Sequence, residues 1–206
     1  MSTGRFVVLE GPEGSGKTTQ IETLAARLKA EGHPITLVRE PGGTRIGEAI
    51  RKVLLDADHD GMTVGTELLL YMACRAQLVH EVIDPALAEG RIVLADRFLT
   101  STIVYQGIAG GMGADGVRTL YRETCGETLP DLVVVLDVDA EAGLARLEET
   151  FDRMEQKPVA FHRRVREGYL SVAGNDRDRY VVVDASRSID VVSEAIWREV
   201  TRRVFS

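Results

Sequence analysis

The chain has 206 residues, of which 44% are hydrophobic and 28% charged, and its formal net charge is −7. That length suits one domain with a core large enough to need no staples, and the acidic balance argues against a general nucleic-acid or anionic-membrane binder. No apolar run approaches the ~20 residues of a membrane span, no signal-peptide pattern is visible, and Cys74 and Cys125 have no metal-binding spacing, so reduced thiols in a cytoplasmic protein are expected.

Strand and helix patterns alternate along the whole chain. Phe6-Val7-Val8-Leu9 reads as a first strand, and Ile21, Leu24, Ala25 and Leu28 mark one face of a following helix that Gly32 should stop. Residues 34–38 read as a second strand, 39–44 as a loop, and Ile46, Ile50, Val53 and Leu54 as a short helix. A long helix pattern covers about 66–88, with Pro85 expected to kink it or end it early. Residues 91–95 form a third strand that runs into Asp96-Arg97, and a helical stretch follows to about Gly107. A glycine-rich connection at 110–113 leads to a helix over about 115–124. Residues 132–137 form a fourth strand, 180–183 a fifth, with helices over about 141–149, 159–173 and 189–204. Nearly continuous apolar strands suit a parallel sheet buried on both faces. The expected fold is α/β, a doubly wound five-stranded parallel sheet with helices on both faces. No repeat or linker marks a domain boundary, so residues 1–206 are read as one domain.

Between the first strand and helix stands Gly11-Pro12-Glu13-Gly14-Ser15-Gly16-Lys17-Thr18, a phosphate-binding loop pattern in its required context. Glycines let successive N–H groups curl inward towards phosphate oxygens, and the helix N-terminus adds its dipole. Lys17 is placed to reach the β/γ-phosphates and Thr18 to ligate Mg²⁺. Gly11 to Thr18, with Thr19, are therefore the expected ATP-binding residues. The guanine-reading N-K-x-D motif is absent, and the chain is short for a helicase core or a transporter ATPase. Arginines gather instead at the expected strand ends, as a second phosphorylated substrate requires.

One further motif points elsewhere. Asp56-Ala57-Asp58-His59-Asp60-Gly61 with Glu67 spells a calcium-loop pattern. No second loop pairs with it and Thr63 replaces the usual apolar pairing residue, so a solvated acidic turn is expected.

Taken together, several stretches resemble the bacterial thymidylate kinases over nearly the whole chain. They are Glu10-Gly11-x-Glu13-Gly14-x-Gly16-Lys17-Thr18, Arg39-Glu40-Pro41-Gly42-Gly43-Thr44, Arg75-Ala76-Gln77, Asp96-Arg97-Phe98 with Ser101-Thr102 and Tyr105-Gln106-Gly107, Pro130-Asp131-Leu132, Asp152-Arg153-Met154-Glu155 and Gly168-Tyr169-Leu170. The resemblance implies transfer of the γ-phosphoryl of Mg·ATP to dTMP, and a homodimer packed through its long helices. A kinase with another nucleotide or nucleoside acceptor, and a nucleotide-binding protein with weakened transfer, remain as alternatives.

The resemblance also implies roles. Arg97 and Arg51 would hold the dTMP phosphate. Tyr71 and Arg75, at i and i+4 on one helix face, would take the thymine ring and its O4. Thr102, with Ser101 nearby, would hydrogen-bond the base, Tyr105 would crowd the sugar 2′ position, and Glu13 would accept from the 3′-hydroxyl. Glu10 and Asp96 would join Thr18 in holding Mg²⁺ through waters. Arg39 is left open, since an ion pair with Glu40 that shapes the loop serves equally well.

Relatives carry a transition-state arginine either in the phosphate loop or in a mobile lid. This chain has Gly14 at the loop position. The lid is expected at about 146–158, where Arg146 would lie against adenine. Glu148 and Thr150 stand where further lid arginines are expected, which leaves Arg153, reaching the transferred phosphoryl when the lid closes, as the proposed catalytic donor beside Lys17, Arg97 and Glu10, with Arg163, Arg164 or Arg166 of the next helix as the alternative.

Overall fold

The computed structural model describes residues 4–147 and 152–205. Five strands, β1 (Arg5–Glu10), β2 (Ile35–Arg39), β3 (Ile92–Asp96), β4 (Leu132–Asp137) and β5 (Tyr180–Asp184), form one parallel sheet in the order β2-β3-β1-β4-β5. Side-chain alternation sorts each strand between two cores. Phe6, Val8, Val93, Val133 and Val135 meet α3 (Val64–Leu78), α6 (Ala114–Cys125) and α8 (Val159–Asn175) on one face. Val7, Leu9, Leu94, Val134 and Leu136 meet α1 (Lys17–Ala30) and α9 (Ile189–Val204) on the other.

This strand order makes a switch point where ligands collect, at the carboxyl ends of β1 and β3. Register places Leu9 opposite Asp96, and Asp96 opposite Arg39. The loops after β1, β2 and β3 therefore leave the sheet along one rim. α1 begins without a side-chain cap, its N-cap Gly16 at φ 84°, so its first amides remain free for an anion. α2 (Arg45–Leu55) is capped by Thr44, whose hydroxyl accepts from Gly47 N at 2.9 Å.

The long helical run differs from expectation at Pro85. α3 continues through a π-helical turn, Val79–Ile83, into α4 (Asp84–Ala88), which carries Pro85 in its first turn. Proline lacks an N–H and crowds the preceding turn, and the wider π turn absorbs that mismatch without ending the helix. After β3, α5 (Leu99–Thr102) passes into a second π-helical segment, Ile103–Ala109. α7 (Ala140–Leu144) is shorter than the sequence pattern suggests, and the end of that expected helix lies outside the described residues. No helix among the described residues is long and apolar enough to cross a membrane.

In the calcium-like stretch, Asp56 caps a single 3-10 turn, Ala57–His59. Glu67 is buried against Arg153, so the last carboxylate that pattern needs is already committed.

Candidate active site

The rim carries a cleft of about 730 Å³, a size suited to nucleotide-sized ligands. Its lining includes Gly14, Gly16, Lys17, Thr18 and Thr19 of the phosphate loop and first helix together with Arg51, Tyr71, Arg75, Arg97, Ser101, Thr102 and Tyr105. Most of the expected phosphate-loop and acceptor residues thus share one cavity, although they come from four separate stretches of the chain; Gly11, Pro12 and Ser15 do not line it.

In the phosphate loop, Lys17 folds back so that its Nζ donates to the carbonyls of Gly11 (3.2 Å) and Pro12 (2.8 Å) and to Ser15 Oγ (3.2 Å). Burial, reinforced by the Arg97 charge, lowers the ammonium to about 8. Gly14 packs against α7: a methyl group there would stand 1.9 Å from the Gly143 carbonyl oxygen, and Gly14 already has φ +66°. This contact gives a physical reason for the missing loop arginine, because no side chain fits at position 14.

Arg97 organises the centre. It is the one non-glycine residue at positive φ (69°) among the described residues. Such strain persists only where surroundings over-determine it. Its amide donates to Leu9 O at 3.0 Å, and its guanidinium donates to Glu13 (2.8 Å), Gly11 O (3.1 Å), Ser101 Oγ (3.2 Å) and Tyr169 Oη (3.1 Å). Tyr105 Oη also donates to Glu13, at 2.8 Å. Burial alone would raise the Glu13 carboxyl; the charges of Arg97 and Lys17 outweigh it and hold the group at about 2.

At the acceptor end, Arg75 is 1% exposed and its Nε donates to both oxygens of Glu40, at 3.1 and 2.9 Å. It also donates to Thr102 Oγ1 at 3.0 Å and lies over the Phe98 ring. Glu40 is thus the partner of Arg75, not of Arg39. Burial pushes the Glu40 carboxyl up, to about 7, against the pull of Arg75. Tyr71 sits one turn earlier on the same helix face, and Arg51 Nη1 donates to Pro41 O at 2.7 Å across the cis Glu40–Pro41 loop.

Thr18 Oγ1 donates to Asp96 Oδ2 at 2.9 Å, so a hydroxyl and a carboxylate oxygen meet where the loop enters α1. An oxygen-only pair suits a hard divalent cation that takes its remaining ligands from phosphates and water. Among the described residues no group of three or more His, Cys, Asp or Glu side chains gathers as a self-sufficient metal cage.

Two expected residues are placed differently. Glu10 is fully buried and does not line the cleft; its oxygens accept from Phe98 N (2.8 Å), Ser101 N (3.0 Å), Ser101 Oγ (2.6 Å) and Tyr169 Oη (3.0 Å). With its oxygens taken by four donors it pins the turn after β3, which corrects the expectation of a metal-holding role. Arg153 is 4% exposed, its Nε donating to Leu54 O at 2.9 Å and its Nη1 to Glu67. It anchors the chain after the expected lid to α2 and α3 and does not line the cleft, so in this structure its guanidinium is held away from the phosphate loop. Arg146 lies outside the cleft lining and donates to Gly14 O (3.3 Å) and Ala185 O (3.2 Å). Residues 148–151 of the expected lid lie outside the described residues.

Sequence reading gave no role to Tyr169 or Gly143. Tyr169 projects from α8 into the cluster of Glu10, Arg97 and Ser101. Its only signal was its place in the Gly168-Tyr169-Leu170 stretch.

Comparison with known proteins decides the family. The thymidylate kinase family model matches residues 9–196. The chain belongs to the thymidylate kinase family. The thymidylate kinase of Deinococcus radiodurans is 46% identical over 205 residues, covering 98% of this chain and 99% of that one. That of Desulforudis audaxviator is 46% identical over 200 residues, covering 96% and 90%. The crystal structure of thymidylate kinase from Ehrlichia chaffeensis superposes with a TM-score of 0.79 at 31% identity, covering 97% and 99% of the two chains. As a thymidylate kinase family member the chain is a phosphotransferase, and the doubly wound parallel sheet is the fold it shares with that structure.

Proposed function

We propose that this chain transfers the γ-phosphoryl of ATP to dTMP, giving dTDP and ADP. The observation that carries the reading is that one cleft is lined both by the phosphate loop and by Tyr71, Arg75, Arg51 and Arg97. Two anionic nucleotides placed there meet end to end, beside Thr18 and Asp96.

Each residue then has a task set by its position. The loop amides and Lys17 hold the donor phosphates, with the lysine leaving its carbonyl partners for them. Arg97 and Arg51 bind the acceptor phosphate. Tyr71 faces the base, and Arg75, stiffened by Glu40 and Thr102, presents its guanidinium to the base carbonyl. Glu13 accepts from the sugar 3′-hydroxyl, while Tyr105 closes the 2′ side. Thr18 and Asp96 would hold Mg²⁺, which neutralises phosphate charge when bound. The transfer itself is mostly positioning and charge neutralisation.

A coupled assay of ADP release tests the reading, with dTMP, dUMP, 3′-deoxy-TMP and UMP compared. Turnover should be highest with dTMP and fall steeply with UMP and the 3′-deoxy analogue. Equal turnover with all four, or none with dTMP, would end it.

A homodimer is part of the proposal. Ile46 and Val53, one face of α2, are 48% and 42% exposed, and Leu69 on the adjoining α3 is 62% exposed. An apolar stripe of this kind supports a partner helix pair. Sedimentation should give twice the chain mass, and Leu69→Glu should halve it. Unpaired thiols at Cys74 and Cys125 support a reducing, cytoplasmic setting.

A further inference from the structure

Phosphoryl transfer needs cationic groups where the donor γ-phosphate meets the acceptor. Between Arg146 and Arg153 the sequence is Leu147-Glu148-Glu149-Thr150-Phe151-Asp152, without lysine or arginine. Both flanking arginines are committed, Arg146 to the carbonyls of Gly14 and Ala185, and Arg153 to Glu67 and Leu54. On α8, Arg163 pairs with Glu141, Arg166 with Asp137 and Asp139, and Arg164 lies over the Phe161 ring; none of the three lines the cleft.

Arg39 is held differently. It ends β2 opposite Asp96, lines the cleft, and its side chain is 58% exposed. Its Nη2 rests on Glu48 at 3.4 and 3.3 Å, the long limit of hydrogen bonding. Glu48 has a closer donor in Gly43 N, at 2.9 Å, which keeps the loop in place if Arg39 leaves. Arg51 also lines the cleft, and the Arg39 charge disfavours its protonated form. Two guanidinium groups thus face one cavity, and an anion placed between them relieves their repulsion.

We propose that Arg39 is a catalytic residue, whose guanidinium leaves Glu48 and bridges the acceptor phosphate and the transferred phosphoryl. The proposal rests on the dTMP kinase reading above. In the step, an oxygen of the acceptor phosphate bonds to the γ-phosphorus as the bond from that phosphorus to the β–γ bridging oxygen breaks. ADP leaves with the bridging oxygen and its electron pair, and the acceptor dianion has no proton to lose. Arg39 donates two charge-assisted hydrogen bonds that strengthen as negative charge spreads between the two phosphorus centres.

The test is steady-state kinetics of the wild type, Arg39→Ala and Arg39→Lys, with thermal midpoints measured alongside. The wild type comes first: if it makes no dTDP, the acceptor assignment fails whatever Arg39 does. Given an active wild type, Arg39→Ala should lower kcat about 100-fold or more with both KM values within about 3-fold. Arg39→Lys should recover only part, because an ammonium cannot fork between two phosphates. Guanidinium at millimolar concentration should restore Arg39→Ala by about 5-fold or more, a response that lost loop packing cannot give. A kcat within about 3-fold of wild type, a loss confined to KM, or no rescue would each overturn the assignment.

Discussion

Replacing Glu13 by glutamine probes the centre of the site through protonation. The Glu13–Arg97 pair is at 2.8 Å with side chains 16% and 15% exposed, so solvent screens it only partly. Arg97 and Lys17 overcome burial and bring the carboxyl from its ordinary 4.5 to about 2. At 1.36 kcal/mol per pH unit, that depression is worth roughly 3 kcal/mol. The sign follows from proton binding. Above 4.5 both folded and unfolded Glu13 are ionised and the full contribution is present. As pH falls from 4.5 to about 2 the unfolded chain takes up the proton first, and the contribution is lost. Denaturant unfolding of the wild type and Glu13→Gln at several pH values should therefore show a gap of about 3 kcal/mol at pH 6 that closes towards pH 2. Glutamine retains the shape and leaves Arg97 without its counter-charge, so the gap reports the charge. A gap that stays constant from pH 6 to pH 2, or is absent at pH 6, would refute the account. The same variant should lose discrimination between dTMP and its 3′-deoxy analogue.

Three further outcomes are expected. Gly14→Ala places its methyl against the Gly143 carbonyl; it should cost about 1–3 kcal/mol of stability and raise KM for ATP, and an unchanged KM would mean the loop does not need that contact. Burial and Arg97 bring Lys17 to about 8, so kcat/KM for ATP should fall about tenfold per pH unit above that value as the charged form is lost. Lys17→Arg should remove this break, because arginine stays protonated. Arg75→Met strands the buried Glu40 carboxylate, which costs about 3–5 kcal/mol and should lower the thermal midpoint by about 10 °C; a drop below about 3 °C, followed by circular dichroism, would contradict the pairing.

The sequence by itself determined the sheet and the nucleotide loop. Strand runs such as Leu132–Asp137, all apolar until the last residue, and a glycine loop set between strand and helix are local patterns, legible because period and spacing lie along the chain. The family-like stretches also named most of the residues that line the cleft. Tertiary structure decided the partners. Glu40 lies next to Arg39 in sequence, yet its carboxylate pairs with Arg75, thirty-five positions away, because β2 and α3 converge beneath the cleft. Arg153 reads as a free lid cation, yet Leu54 and Glu67 bury it. Glu10 reads as a metal carboxylate, yet donors from Phe98 and Ser101 after β3 and from Tyr169 on α8 saturate it. Local spacing says which charged groups exist; which charge neutralises which depends on contacts between segments far apart in the chain, and burial makes those choices costly to change.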